Sequence, residues 1–262
     1  MADKPSWYRI HAEGDGAAVV YLYGVVGQDW WGEGNSALDF ARELDALSPR
    51  AIELRVNSEG GDFFEGTAIH AALSRYPGTV TAFVDGLAAS AASFLIRAAD
   101  EVVMGEMAFQ MIHNAWTFAL GNAEELASVI DTLNAIDEQM VGVYSQASTK
   151  DADEIRAAMA ATTWLTAEQA IEWGLADRIE ESLKAAACVS EKFAAKFGGV
   201  PEGVVVGDAT PTIEASEQEE PVSDAVGQGA EAEDEPQEGQ VAQVRYFPTL
   251  GCSSATTTPR KE

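Results

Sequence analysis

Residues 79–98 read TVTAFVDGLAASAASFLIRA. Thr, Val and Phe crowd 79–84, the composition of a strand, and the small side chains from Gly86 to Ser93 permit a tight turn into a helix over 88–98. A strand that turns at once into a helix is the unit from which a helix-covered parallel sheet is built. The turn also sets Ser90 at the helix N-terminus, where its hydroxyl is reachable and the helix dipole favours developing negative charge. Ser90 suits a plain N-cap equally well, and small residues also serve close helix packing, so this stretch alone leaves both roles open.

The flanking sequence repeats the same alternation. Residues 17–27, rich in Val and Tyr and bounded by Gly, read as a strand buried on both faces. Asn35-Ser36 then caps a helical pattern of Leu38, Phe40, Ala41, Leu44 and Leu47, and 51–56 return to strand composition. A helix over 62–76 with Phe63, Ile69 and Leu73 inward follows, then the strand and helix quoted above, then strands at 101–104 and 109–113. From 122 to 147 runs one long amphipathic helix with Leu126, Ile130, Leu133, Ile136, Met140, Val143 and Tyr144 three or four apart. Two short helices, 151–160 and 166–173, and a last strand at 176–179 complete the pattern, which implies a mainly parallel α/β sheet with helices outside it. The long helix exceeds what one small domain covers, so part of its stripe is expected to meet another subunit.

The chain has 262 residues, 47% of them hydrophobic, ample for a core. Its net charge of −27 is uneven: residues 204–240 hold eleven Asp or Glu and no Lys or Arg. Such a chain repels phosphate backbones and anionic lipid, which argues against nucleic acid and membrane partners. Three segments are expected: an N-terminal piece over 1–16, a catalytic domain over 17–183, and an acidic low-complexity tail over 184–262, mostly disordered. The last residues, 241–262, regain apolar character, and a loose tail is favoured over a docking segment. Cys188 and Cys252 have no metal or redox spacing. The N-terminus has no signal-peptide pattern and no apolar run reaches membrane-spanning length, so the cytoplasm is the default.

Three short words carry the chemistry: NSEGG at 57–61, GLAAS at 86–90 and MIHN at 111–114. Acyl transfer needs a nucleophile, a base to take its proton, and backbone N–H groups for the oxyanion. Gly60-Gly61, between a strand and a helix, can offer unpaired N–H groups, although such a turn is also common loop chemistry. Ser90 is the candidate nucleophile, with Ser93 a rival one turn inside the helix. Of three histidines, His11 lies in the N-terminal segment and His70 in a predicted helix, which leaves His113 as the base. Ser-Lys chemistry is disfavoured because no lysine occurs between Lys4 and Lys150.

NSEGG, GLAASAASF, MIHNAW and WLTAEQAIEWGLAD, in this order and spacing, resemble the Clp protease proteolytic subunit family over roughly residues 17–182. The segment YLYGVVGQDWWGEGNSALDFARELDAL is similar to the family branch found in phage and prophage genomes, whose role is prohead maturation. The resemblance implies a crotonase-like spiral of ββα repeats and a serine peptidase that needs no metal or cofactor. It implies Ser90 as nucleophile, His113 as general base and then acid, and the N–H groups of Gly61 and Ala91 as oxyanion hole. It further implies homo-oligomeric rings joined through the long helix and polypeptide substrates such as capsid or scaffold proteins; nothing in the sequence resembles an ATPase, so unfolding would come from an unfoldase partner or be unnecessary.

At the family's triad-acid position stands Thr162. A hydroxyl accepts an imidazole N–H bond but brings no charge, and loss of a triad carboxylate costs on the order of 10⁴ in turnover in serine proteases. A slow Ser-His dyad is expected first, ahead of an acid supplied by Asp151, Asp153 or Glu154 and of an inactive structural subunit. An acyl-CoA enzyme of the crotonase type accounts for NSEGG but not for Ser90 with His113.

Overall fold

From the N-terminus the chain runs β1 (Tyr8–His11), β2 (Ala18–Val26), α1 (Ala37–Ala46), β3 (Ile52–Gly61), α2 (Phe63–Ser74), β4 (Val80–Ala89) and α3 (Ala91–Leu95), the last continued by a 3-10 turn at Ile96–Ala98. There follow β5 (Glu101–Gly105), β6 (Phe109–Ile112), α4 (Ala123–Ala147), α5 (Ala152–Ala160), β7 (Thr163–Thr166), α6 (Ala167–Glu172) and β8 (Arg178–Glu180). Beyond them come β9 (Cys188–Val189), α7 (Glu191–Lys196) and β10 (Val205–Val206). This computed structural model describes residues 6–12, 14, 16–27, 35–181, 187–197 and 199–207.

The main sheet runs in the order β1-β2-β3-β4-β5-β8, parallel along this path except for β1 on β2, with β6 branching parallel from β4 and β7 pairing antiparallel to β6. The fold is mixed α/β, the class that the alternation implies. Helix starts obey local chemistry: Ser36, Asn122, Asp151 and Thr166 each close a capping box, and the Asp62 carboxylate accepts the Phe64 and Glu65 N–H groups.

One strand departs from its expected surroundings. β2 is buried on one face only, through Ala18, Val20 and Leu22, while Val19, Tyr21 and Tyr23 are half-exposed. Val20, Leu22, Leu54, Val56, Ala82 and Val84 form a continuous core with Phe40, Leu44, Ile69 and Leu73 of α1 and α2. The opposite face carries a polar network instead. Buried Asp85 accepts bonds from the Tyr23 hydroxyl at 2.6 Å and from Arg55 Nε at 3.0 Å, and the Arg55 guanidinium lies 5.0 Å from the centre of the Phe83 ring.

β3 and β4 both outrun their expected ends, reaching Gly61 and Ala89. Residues 88 and 89 are therefore extended rather than helical, and α3 is only five residues long. β4 forks: Thr81–Val84 pair with β5, while Leu87–Ala89 pair with β6, which pairs in turn with β7. α4 buries Ile136, Met140, Val141 and Tyr144, but Leu126 and Ile130 in its first half stay 38% and 56% exposed.

Packing continues past residue 183, where composition places the end of the domain. Ala187, Val189 and Phe193 are buried in a second cluster with Leu87, Ala89, Phe109 and Met111. The reason lies in the sequence: Ser190 caps α7, and Phe193 and Phe197 sit four apart on one helical face. Residues 208–262, including Cys252 and most of the expected acidic tail, lie outside the described residues.

Removal of the Asp85 carboxylate leaves the Arg55 guanidinium and the Tyr23 hydroxyl without their common acceptor. Asp85→Ala is expected to lower unfolding free energy by about 3 kcal/mol, measured by urea denaturation, because one partner of a buried ion pair is stranded. A loss below about 1 kcal/mol would mean that the network is a solvent-screened surface pair.

Candidate active site

The fork in β4 builds the site. Beyond the Ala89–Met111 pair the ladder continues by one bond, in which the Ser90 N–H donates to the Met111 carbonyl at 2.9 Å. Ser90 then takes φ 54 and ψ −126, a conformation rare for a residue with a side chain. Its hydroxyl makes no helix-capping bond, so the N-cap role is not the one it plays. It meets His113 Nε2 at 2.7 Å instead.

β3 supplies the other wall. Its register places Ser58 beside Ala88, which brings Gly60 against the Ser90 turn. A Cβ at Gly60 would stand 2.5 Å from the Ala89 carbonyl oxygen and 2.8 Å from the Ser90 Cβ, and its φ of 87 is itself glycine territory. A Cβ at Gly61 would overlap the Val26 main chain. Gly61 and Ala91 line the same groove as Ser90 and His113.

That groove has a volume of about 540 Å³ and an apolar far side, with Trp116, Phe118, Leu133, Ile136 and Met140 among its residues. Asp137 of α4 fixes the segment that follows β6 by accepting the Ala115 N–H at 2.6 Å. An extended chain laid there would pass the Ser90 hydroxyl.

His113 is buried, with 7% of its surface exposed. Burial pushes its imidazole down to about 4, the nearby Lys196 cation pushes the same way, and the Asn114 main chain opposes both. The ring is therefore neutral near pH 7 and able to accept the Ser90 proton. Ser93 is fully buried and committed: its hydroxyl donates toward the Ser90 and Met111 carbonyls and meets the Tyr144 hydroxyl at 2.7 Å. His11 packs edge-on to Tyr21, and His70 lies against Phe94, both away from Ser90.

Among the described residues no carboxylate is hydrogen-bonded to His113. Thr162 lies in the turn between α5 and β7 at φ 55, where its N–H donates to the Met159 carbonyl, and no hydrogen bond joins its side chain to the imidazole. The three alternative acids are engaged elsewhere: Asp151 caps α5, Asp153 pairs with Arg156, and Glu154 closes the capping box and faces Lys150. None of them is brought to His113.

Three residues near the site have roles that the motifs do not announce, although Glu59 lies within NSEGG. The Glu59 carboxylate accepts the Ser190 N–H and hydroxyl, and so ties the glycine-bearing end of β3 to α7. Phe197 and Lys196 reach the His113 neighbourhood from the same helix. Their signal was the Ser190, Phe193, Phe197 spacing, masked by the acidic, low-complexity sequence that follows. Among the described residues no His, Cys, Asp and Glu cluster has the makings of a metal site, and no helix is long and apolar enough to cross a membrane.

Comparison with known proteins agrees with this architecture. The chain is 26% identical over 139 residues to the ATP-dependent Clp protease proteolytic subunit of Bacteroides thetaiotaomicron, a match covering 52% of this chain and 63% of that protein. It is 26% identical over 137 residues to the ATP-dependent Clp protease proteolytic subunit 1 of Leifsonia xyli subsp. xyli, covering 52% and 70%. A mutant of ClpP1 from Listeria monocytogenes superposes with a TM-score of 0.55 at 22% identity, covering 63% of this chain and 91% of that one, a likeness of fold. The Clp protease family model matches residues 35–182, more than half of the sequence, and contains both Ser90 and His113: the chain belongs to the Clp protease family.

Proposed function

We propose that this chain is a serine endopeptidase working through a Ser90–His113 dyad. The observation that carries the reading is the 2.7 Å contact between Ser90 Oγ and His113 Nε2 at an apolar groove that Gly61 and Ala91 also line. Ser90 Oγ attacks the scissile carbonyl carbon while His113 Nε2 takes the hydroxyl proton, and the N–H groups of Gly61 and Ala91 receive the oxyanion. The imidazolium returns that proton to the leaving amine as the C–N bond breaks, leaving an ester on Ser90. Water, deprotonated by His113, then hydrolyses the ester and restores the hydroxyl. No metal or cofactor takes part.

Catalysis is slow by the standards of a full triad. Among the described residues no carboxylate stabilises the imidazolium, burial and the Lys196 cation disfavour it, and only the groove and the oxyanion donors act as they do in a complete site. The exposed Trp116, Phe118, Leu120 and Ile130 support assembly into rings of identical subunits through α4 and the segment before it. The likeness of the early segment to the phage and prophage branch supports prohead maturation as the setting, with capsid or scaffold chains as substrates. An inactive structural subunit is the second reading, favoured by the missing carboxylate.

Fluorophosphonate labelling separates the two. Wild-type protein is expected to gain one adduct by intact mass and Ser90→Ala none; labelling that survives the substitution would rule out this nucleophile, and an unlabelled wild type would favour the structural reading. The pH dependence follows from His113, which serves as base only when neutral. With its midpoint pushed down to about 4, the labelling rate is expected to hold as pH falls from 7 toward 5 and to drop near 4, with intrinsic fluorescence confirming that the protein stays folded. Half-loss near the ordinary imidazole value of 6.5 would contradict the buried, carboxylate-free environment.

A further inference from the structure

The helix beyond the family's matched region ends on the base. Phe197 stands edge-on to the His113 ring with 4.7 Å between centroids. Behind it the rings form a chain: Phe197 to Phe193 at 4.8 Å, Phe193 to Trp164 at 6.1 Å, and Trp164 to Phe109 at 6.4 Å. β6 and β7 thus buttress the far side of the residue that touches the imidazole. The other end of α7 is held by Glu59, one residue before Gly60. On the flank, Lys196 Nζ lies 3.2 Å from the centre of the Trp116 ring and 4.4 Å from that of Phe197, so the helix also meets the groove wall.

We propose that α7 is part of the catalytic apparatus and that Phe197 is a positioning residue, holding the His113 ring toward Ser90 and so performing the orienting half of a triad acid's task. This rests on the Ser90–His113 reading. A triad carboxylate orients the imidazole and stabilises its charge, two separable jobs. An aromatic edge packed on the ring restricts its rotation and brings no charge. The two roles part company here because among the described residues no acid is bonded to His113, while a buttressed aromatic ring packs against it. Phe197 is absent from the groove lining, so it acts on the base rather than on the substrate.

The charged groups around His113 agree with a purely geometric role for Phe197. On α4, Asp137 is occupied by the Ala115 N–H and Glu138 by Arg156 of α5; on β3, Glu59 is occupied by Ser190. The Ser90 turn and β6 bring no charge. α7 itself contributes Lys196, a cation whose effect on the imidazole opposes protonation.

The test uses the full-length protein and three variants, Phe197→Leu, Phe197→Tyr and Lys196→Met. With three histidines in the chain, the His113 ring protons can be identified in an NMR spectrum by comparison with His113→Gln. Phe197→Leu is expected to remove a ring-current displacement of those protons. It should also lower the maximal rate of fluorophosphonate labelling by at least about tenfold with the half-saturating concentration unchanged, since a misplaced base slows chemistry and not binding. Phe197→Tyr should retain both properties. Lys196→Met should raise the His113 titration midpoint above the wild-type value, which a helix detached in solution would not do. Wild-type ring-proton shifts and wild-type labelling in Phe197→Leu would overturn the positioning role alone. A wild type that leaves Ser90 unlabelled would overturn the dyad and this proposal together.

Discussion

The pairing of Leu87–Ala89 with Phe109–Met111 is the contact on which the rest of the site depends. β4 leaves β5 after Val84 and continues along β6, and that change of neighbour is what brings the ends of two strands, Ser90 and His113, side by side. The bond from Ser90 N–H to the Met111 carbonyl extends the ladder by one step and holds the serine in a left-handed conformation that would otherwise cost about 1–3 kcal/mol. Gly60, packed against the same turn from β3, is the complement of that strain: only a residue without a Cβ fits between the two backbones. Ser93 and Tyr144 then pin α3 to β6 and α4 from within.

Magnitudes order the remaining effects. The nucleophile and base are in contact, so proximity, worth several kcal/mol in well-oriented systems, is already secured in the folded chain. What is missing among the described residues is charge: the imidazolium that the proposed mechanism forms is desolvated, faces Lys196, and has no carboxylate partner there. On the proposed dyad mechanism this balance corresponds to an active but slow site.

Much of this was legible in the chain because strand, cap and turn chemistry are local. The α/β class followed from the alternation of Val-rich and amphipathic segments, and Ser36 and Thr166 start helices where their side chains say they should. Elimination among three histidines reached His113 without any knowledge of distance. Other features were not local. The extension of β4 through Ala89 depends on β6 as a partner, which no propensity of Ala-Ala announces, so those residues read as helix. The one-sided burial of β2 reflects the Tyr23–Asp85–Arg55 network across three strands. α7 was hidden by its proximity to a low-complexity tail, although Ser190, Phe193 and Phe197 form a proper helical signature. Thr162 could be named as a missing acid from the sequence, yet only the structure shows that Asp151, Asp153 and Glu154 are committed elsewhere.

The central claim is that Ser90 forms a covalent acyl intermediate with the help of His113. Acid quenching of the purified protein during reaction with an activated peptide ester, followed by peptide mapping, tests it most directly. The account predicts an acyl group on Ser90 that accumulates in the wild type and is missing from His113→Gln. An acyl group on Ser93 or another residue, or equal acylation of Ser90 without His113, would contradict it.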